Sequence, residues 1–341
     1  MKTILIMKSN CLLLLLAWML QGCSSNKEII MTVNGPVDAA TIGTTLAHEH
    51  FLVDFIGADS TGYHRWNRDT VIAKVLPFLL EARDAGVITI VECTPAYLGR
   101  DPVLLQELSR RSGLNILTNT GYYGAINNKA LPQDAFVGTA DQMAEIWIRE
   151  WQQGIELTGI KPGFIKIAVE DDSVLAEVQE KIVRAAAKAH LKTGLVINAH
   201  TGPDLPALAE VRILKEEGVD PSAFIWTHAQ GGTGEIHVKL AKEGAWISLD
   251  NVMTDNIDQY VAMLMNMKQQ GVLHRALISH DAGWYDVIQP DSVTFRSYTA
   301  LFTHLKPALL HAGFTENDWA MLTEKNPAEA YQVKIRKLQT R

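Results

Sequence analysis

Four histidines and one aspartate stand near the ends of short apolar segments of the sequence, where their side chains could act together. They are His48, His50, His200, His228 and Asp281. In a β-strand, residues i and i+2 face the same side, so His48 and His50 can bind one ion while Glu49 faces away. Imidazole and carboxylate together suit a zinc-like divalent metal. Each residue alone also fits a structural role, but the set predicts a metal site.

Lys166 lies in the segment GFIKIAV, residues 163–169, which has the composition of a fully buried strand. A buried ammonium group is unfavourable unless something compensates its charge. Reaction with carbon dioxide would turn the amine into a carbamate, an anionic group with two oxygens that can bridge two ions. The alternatives are a lysine that reaches out of the strand end and a neutral Schiff-base lysine. Beside the histidines, the number of ligands favours the bridging carbamate.

Eight short apolar strands alternate with amphipathic helices and must position these side chains. The predicted strands span residues 44–52, 87–94, 115–123, 163–169, 194–201, 223–229, 245–252 and 275–281. Continuous Val, Ile and Leu runs are typical of parallel strands that are covered on both faces. The pattern predicts an α/β protein with a single (β/α)8 TIM barrel over residues 31–341. A doubly wound open sheet is the alternative, although no Gly-rich nucleotide motif follows the first strand.

The active site of such a barrel lies at the C-terminal ends of its strands. The pattern places His48 and His50 on strand one, Lys166 on strand four, His200 on strand five, His228 on strand six and Asp281 on strand eight. Strands two, three and seven offer less clear candidates, which are Glu92, Tyr122, Tyr123 and Asp250. All of these side chains are therefore expected at one mouth of the barrel.

The composition indicates an ordinary globular protein rather than a disordered chain or a bundle of membrane spans. The 341 residues are 47% hydrophobic and 20% charged, with a net charge of −7. The absence of a basic run in the sequence argues against a nucleic-acid partner. The oligomeric state is not determined by the sequence, and a homodimer is one possibility.

The first 22 residues have the features of a targeting segment. Lys2 and Lys8 precede an apolar run, residues 11–20, that is too short to span a bilayer. The following LQGC resembles a bacterial lipoprotein signal, so Cys23 is expected to be lipidated, with residues 23–30 as a tether. This predicts an exported, periplasmic or cell-surface protein anchored to a membrane, and an ordinary secretory signal is the alternative. Cys93 then has no partner for a disulfide.

The motifs LAHEH, GFIKIA, NAHT, ISHDAGW and NPAEAY together resemble the phosphotriesterase family of the amidohydrolase superfamily, which includes phosphotriesterase-like lactonases and phosphotriesterase homology proteins. The resemblance covers about residues 30–335. It implies two divalent metal ions, most simply Zn²⁺, bridged by a hydroxide and by carboxylated Lys166. It also implies that His48, His50 and Asp281 hold the buried ion and that His200 and His228 hold the exposed one.

The same resemblance gives further residues a role. Asp281 would accept the proton of the attacking water, and Tyr123 and Trp284 would contact the substrate. Many relatives carry an acidic residue shortly after the strand-six histidine as part of a proton relay. This chain has Gln230 and Gly231 there, which puts the relay in doubt.

The sequence therefore predicts a binuclear metal-dependent hydrolase in which a metal-bridging hydroxide attacks a lactone or a related ester. An aryldialkylphosphatase, which is a phosphotriesterase, is the first alternative. A mononuclear deaminase-like enzyme fits less well, because such relatives lack the strand-four lysine. The alternative without catalysis is a barrel lipoprotein that binds ligands and keeps a vestigial metal site.

Overall fold

A computed structural model of the chain describes residues 28–291 and 294–339. The predicted signal peptide, residues 1–22, and the predicted lipidation site Cys23 lie outside the described residues. Export and lipid anchoring therefore stay predictions from the sequence. Among the helices of the described part, none is long and apolar enough to cross a membrane.

Twelve strands occur in the described part of the chain. They are β1 (Ile29–Thr32), β2 (Gly35–Asp38), β3 (Thr45–Val53), β4 (Thr89–Glu92), β5 (Asn115–Leu117), β6 (Asn119–Thr120), β7 (Phe164–Ala168), β8 (Ile197–His200), β9 (Phe224–Thr227), β10 (Trp246–Leu249), β11 (Ala276–Ile278) and β12 (Gly283–Asp286). An antiparallel hairpin is formed by β1 and β2, and every pair among the other strands is parallel.

Helices connect most of the successive parallel strands. They are α1 (Arg68–Asp84), α2 (Pro102–Ser112), α3 (Gln133–Val137), α4 (Ala140–Gln153), α5 (Glu177–Thr193), α6 (Asp204–Glu216), α7 (Gly234–Glu243), α8 (Ile257–Gln269), α9 (Lys306–His311), α10 (Glu316–Ala320) and α11 (Asn326–Ala330). The sequence marks the ends of these helices, as α2 illustrates. The Asp101 side chain caps its N-terminus and Pro102 is its first residue. Gly113, with a positive φ, ends the helix.

The parallel strands follow one another in chain order around a ring. One sheet runs β12-β3-β4-β5 and the other runs β6-β7-β8-β9-β10-β11. Thr118 alone separates β5 from β6. Between β11 and β3, the Asp281 amide donates to the His48 carbonyl over 3.1 Å and the His50 amide donates to the Ala282 carbonyl over 3.0 Å. The predicted parallel α/β class is confirmed, and the order is consistent with a TIM-barrel-like fold.

Burial follows the apolar runs of the sequence. All five residues of β7 are buried, as are the four residues of β4, β9 and β10. Such strands contribute to the core on both faces, because one face packs inside the ring and the other packs under the helices. Lys166 is the one charged residue within β7, and it is only 1% exposed.

Three details differ from the expected elements. The hairpin β1–β2 is not predicted, and Ile29 and Ile30 of the expected tether already belong to β1. The expected strand over 115–123 breaks at Thr118. Strand β12 follows Asp281 and is also not predicted, because its sequence GWYD lacks an apolar run. The position of β12 is determined by its pairing with β3, and a local sequence pattern cannot predict a partner so far away in the chain.

Gly283 permits the close approach of β12 to β3. Its φ is +94°, and a β-carbon there would overlap the His50 carbonyl oxygen and the Tyr298 hydroxyl. Gly86 is a matched control, because its φ is +99° but a β-carbon there meets nothing within 4 Å. We expect Gly86→Ala to cost about 1–2 kcal/mol of backbone strain. Gly283→Ala should cost about 1–3 kcal/mol more through overpacking.

Urea unfolding and the melting temperature of the two variants measure this difference. Gly283→Ala should also bind less zinc than Gly86→Ala, since the clash displaces the backbone of His50. Equal destabilisation of both variants would contradict the close approach.

Candidate metal centre

Three side chains converge where β3 meets the segment after β11. The Nε2 atoms of His48 and His50 lie 3.3 Å apart. Asp281 Oδ1 lies 3.5 Å from His48 Nε2 and 3.1 Å from His50 Nε2. The three ligand atoms thus form a small, nearly equilateral triangle at the mouth of the ring.

This triangle fits one divalent ion. Ligand atoms about 2.1 Å from a zinc ion at tetrahedral angles lie about 3.4 Å from one another, close to the separations seen here. Asp281 Oδ1 is buried and, among the described residues, accepts no hydrogen bond. A buried carboxylate oxygen without a donor is costly unless a cation satisfies it. The donor set and its unsatisfied oxygen are therefore those of a metal site.

The Glu49 carboxylate fixes the position of Asp281 relative to the two histidines. Its Oε1 accepts from Ser279 Oγ at 2.8 Å and from the His280 amide at 3.0 Å. Its Oε2 accepts from the Ala282 amide at 2.8 Å, while His280 Nδ1 lies 2.7 Å from Oε1. Glu49 faces away from the ion site, as the alternation predicts, and its carboxylate binds residues on both sides of Asp281.

A hydrogen bond from the second ring nitrogen sets the orientation of His50. His50 Nδ1 lies 2.8 Å from Thr94 Oγ1, and Thr94 is the second residue after β4. His48 Nδ1 lies 3.7 Å from Asp250 Oδ2, and it makes no hydrogen bond within the described residues. The bond to Thr94 orients the His50 ring so that its Nε2 faces the triangle.

A second pair of imidazoles lies beside the first triangle. The ring centroids of His200 and His228 are 4.3 Å apart, and those of His48 and His228 are 5.1 Å apart. His228 Nδ1 lies 2.5 Å from Asp250 Oδ1, which leaves Nε2 free for an ion. The structure thus places all five candidate ligands in one neighbourhood, and the ligand atoms of three of them, His48, His50 and Asp281, lie close enough together to hold one ion.

Lys166 is placed opposite Asn198 by the register between β7 and β8. Its Nζ donates to Asn198 Oδ1 over 3.1 Å. Its charge is near enough to lower the pKa of both His48 and His200. Lys166 is therefore buried close enough to the candidate ligands on both sides of the site for its charge to act on them.

The electrostatics of the site favour metal-binding protonation states. Burial lowers the pKa of His48 and His200 well below the ordinary value, and nearby cationic groups add to the shift. Burial also lowers the pKa of Lys166. For His228, burial acts in the same direction, but Asp250 outweighs it and the pKa is raised. Neutral imidazole is the ligand form, so the first two rings are prepared for a metal.

Two of the ligands have a strained backbone. Asp281 has φ of 49° and His228 has φ of 63°, both in the left-handed region that non-glycine residues rarely adopt. Such conformations persist where surrounding bonds enforce them, and they cluster at functional sites. For Asp281 those bonds are the ones made by Glu49.

Comparison with known proteins agrees with this geometry. Residues 28–331 match the Phosphotriesterase family. The chain belongs to the phosphotriesterase family.

Individual relatives of this phosphotriesterase-family chain carry several activities in their names. An aryldialkylphosphatase of Saccharolobus solfataricus is 30% identical over 308 residues, which are 86% of this chain and 96% of the relative. A phosphotriesterase homology protein of Escherichia coli is 26% identical over 85% of this chain and 98% of its own length. An N-acetyltaurine hydrolase of Danio rerio is 23% identical over 87% of this chain and 96% of its own.

The remaining candidates of the phosphotriesterase-family site fall into two groups. Tyr123 Oη lies 3.2 Å from both ring nitrogens of His200, and the Trp284 ring packs 5.3 Å from that of His50. Both therefore border the ligands. Glu92 instead accepts from the amides of Phe51 and Thr94, and burial raises its pKa to about 7.

Two polar residues beside the ligands were weak or missing in the sequence analysis. Asp250 appears there only as a less clear candidate, although it is fully buried and accepts from His228 and, over 3.2 Å, from Gln230 Nε2. Asn198 is not singled out, because one amide in an apolar strand has many uses. Gln230 thus contacts the carboxylate that holds His228, and it contributes no charge of its own.

Asp250→Asn tests whether the contact between the Asp250 carboxylate and His228 supports metal binding. The variant keeps the shape but loses the charge that binds the imidazole, and we expect about a 10–100-fold loss of zinc affinity. Asp101→Asn is a matched control, since Asp101 is 2% exposed and binds Arg68 and Trp66 rather than any candidate ligand. Zinc titration with a competing chelator measures both variants. Equal affinities in Asp250→Asn and the parent protein would contradict a role in metal binding.

Proposed function

We propose that this phosphotriesterase-family hydrolase is a binuclear metal-dependent enzyme that cleaves a lactone or a related ester. The observation that carries the proposal is the triangle of His48, His50 and Asp281 beside a second imidazole pair and a buried lysine. A single structural ion would need only the triangle. The second pair and the lysine are the groups that a second ion would use.

Two ions held there would supply Lewis acidity and an activated water. In this proposal His48, His50 and Asp281 would hold one ion, and His200 and His228 would hold the other. Lys166, as its carbamate, would be the ligand that the two ions share. Zinc suits this set, because imidazole and carboxylate oxygens are its ordinary ligands.

Asp281 is the residue proposed to move a proton. Its carboxylate is 18% exposed, so it can reach a substrate from the mouth while its Oδ1 faces the histidines. Its backbone carbonyl accepts from Trp284 Nε1 over 3.0 Å and also from Arg296, which holds the residue in its strained conformation. A fixed carboxylate at this point can accept the proton of the attacking water and pass it to the leaving group.

The aromatic residues at the mouth are proposed to orient the substrate. Tyr123 lies beside His200, and its hydroxyl can donate to a substrate oxygen. Burial raises its pKa, so it stays protonated. Trp284 stacks on Phe55 with a ring-centroid distance of 5.6 Å. These apolar surfaces suit the alkyl part of a lactone or ester.

Phosphotriester hydrolysis is the second candidate. It is favoured by the similarity to the aryldialkylphosphatase, which is the relative at 30% identity. Because one relative is named as an N-acetyltaurine hydrolase, amide substrates belong in the same kinetic screen. The ion site can polarise a carbonyl or a phosphoryl oxygen alike, so the surrounding loops must decide the substrate.

A kinetic screen of the zinc-loaded protein tests the proposed activity. Lactones, aryl esters, phosphotriesters and N-acyl amino sulfonates are compared through kcat/KM. We expect the highest value on a lactone or ester. A preference for phosphotriesters would instead favour the second candidate. Inactivity on every substrate class would contradict the enzyme proposal and favour a ligand-binding protein.

Lys166→Ala tests the second ion. The variant should lose about one equivalent of zinc and most activity, and short-chain carboxylates should restore part of both because they can occupy the space of the carbamate. Lys188→Ala is the control, as this lysine pairs with Asp141 at 2.8 Å on the helical surface. Metal analysis by mass spectrometry gives the zinc content. A parent protein with no more than one ion would refute the binuclear centre.

A further inference from the structure

Asn198 lies at the centre of a buried hydrogen-bond network beneath the ligands. It is fully buried on β8 and pairs in register with Lys166 on β7. Its Oδ1 accepts from Lys166 Nζ at 3.1 Å and from Thr227 Oγ1 at 2.7 Å. Its Nδ2 donates to Tyr331 Oη at 3.0 Å, and Tyr331 Oη donates to the Ala47 carbonyl at 2.9 Å.

These bonds fix which way the amide of Asn198 faces. The Tyr331 hydroxyl donates its one proton to the Ala47 carbonyl, so it can only accept from the amide nitrogen of Asn198, and the amide oxygen is left on the side of Lys166. The amide nitrogen is held on the other side by Tyr331, which packs after the last helix and contacts the strand that carries His48. Asn198 therefore presents a rigid acceptor to Lys166 and has no freedom to turn a donor toward it.

The number of donors on Lys166 matches a carbamate better than an ammonium. Within the described residues, Asn198 Oδ1 is the one hydrogen-bond acceptor of Nζ. An ammonium carries three N–H donors, and in this buried position two of them would lack a partner. A carbamate nitrogen carries one N–H, which is the number that the site accepts.

We propose that Asn198 is a positioning residue that sets the direction of the Lys166 carbamate. The inference rests on the proposed binuclear function. When the neutral amine attacks carbon dioxide, its lone pair forms the N–C bond, one C=O pair moves to oxygen, and one proton leaves to solvent. The N–H that remains donates to Asn198 Oδ1. Because the N–C bond of a carbamate is planar, like that of a peptide, a fixed N–H also fixes the plane of the two oxygens.

Asn198→Leu removes the acceptor and keeps the number and branching of the heavy side-chain atoms. We expect it to raise the bicarbonate concentration needed for half-maximal carbamate formation about tenfold, equivalent to about 1.4 kcal/mol, the strength of a good hydrogen bond. Apoprotein is reconstituted with zinc over a bicarbonate series. The ¹³C resonance from labelled bicarbonate and the zinc content are read in parallel.

Asn198→Asp is a second variant of nearly identical shape, in case the leucine does not fold. Its carboxylate would pair with the ammonium form of Lys166 and disfavour the carbamate, so the ¹³C signal should fall at equal bicarbonate. Asn326→Leu is the matched control, because Asn326 is also a buried asparagine that bonds to Leu273 and Ala276 carbonyls, away from Lys166. It should lower stability and leave the bicarbonate response unchanged.

The outcomes separate this inference from the proposed function. If the parent protein shows no carbamate resonance and at most one zinc ion, the binuclear function fails. If the parent shows both and the two Asn198 variants respond to bicarbonate as the parent does, only the positioning role is overturned. A shifted response in the Asn198 variants with a normal response in Asn326→Leu supports it.

Discussion

The carboxylate of Glu49 closes the ring of strands and thereby sets the geometry of the candidate centre. It lies on β3 between His48 and His50 and bonds to the segment on both sides of Asp281. These bonds add side-chain contacts to the backbone pairing between β3 and β12. A buried carboxylate is tolerated when its oxygens are hydrogen-bonded. Here those bonds connect β3 to the segment that carries Asp281.

A second buried carboxylate acts in the same way on the opposite side. Asp250 holds His228 at the end of β9, next to the pair formed by Tyr123 and His200. Both carboxylates lie outside the candidate ion sites, and both hold a ligand whose backbone is strained. The strain in Asp281 and His228 is therefore balanced by charge-assisted hydrogen bonds, which are stronger than bonds between neutral groups.

The parallel α/β class could be predicted from the sequence, and so could the convergence of His48, His50 and Asp281, because the strands and the candidate residues are marked by local patterns. Apolar runs mark parallel strands, and an i, i+2 histidine pair must share a face. The sequence was not sufficient for β12, for the break at Thr118 or for Asn198. Each of these depends on a partner far along the chain, such as Tyr331 for Asn198. A local pattern carries no information about such pairs.

The hydrogen bond of Tyr331 to Ala47 connects the two ends of the folded chain beneath the site. The Val333 amide likewise donates to the carbonyl of Ile29 over 2.9 Å. During synthesis, the first ligands leave the ribosome long before the residues that support them. The support beneath the candidate metal centre is therefore completed only after Tyr331 has been made, and a product truncated before Tyr331 would have the histidines without that support.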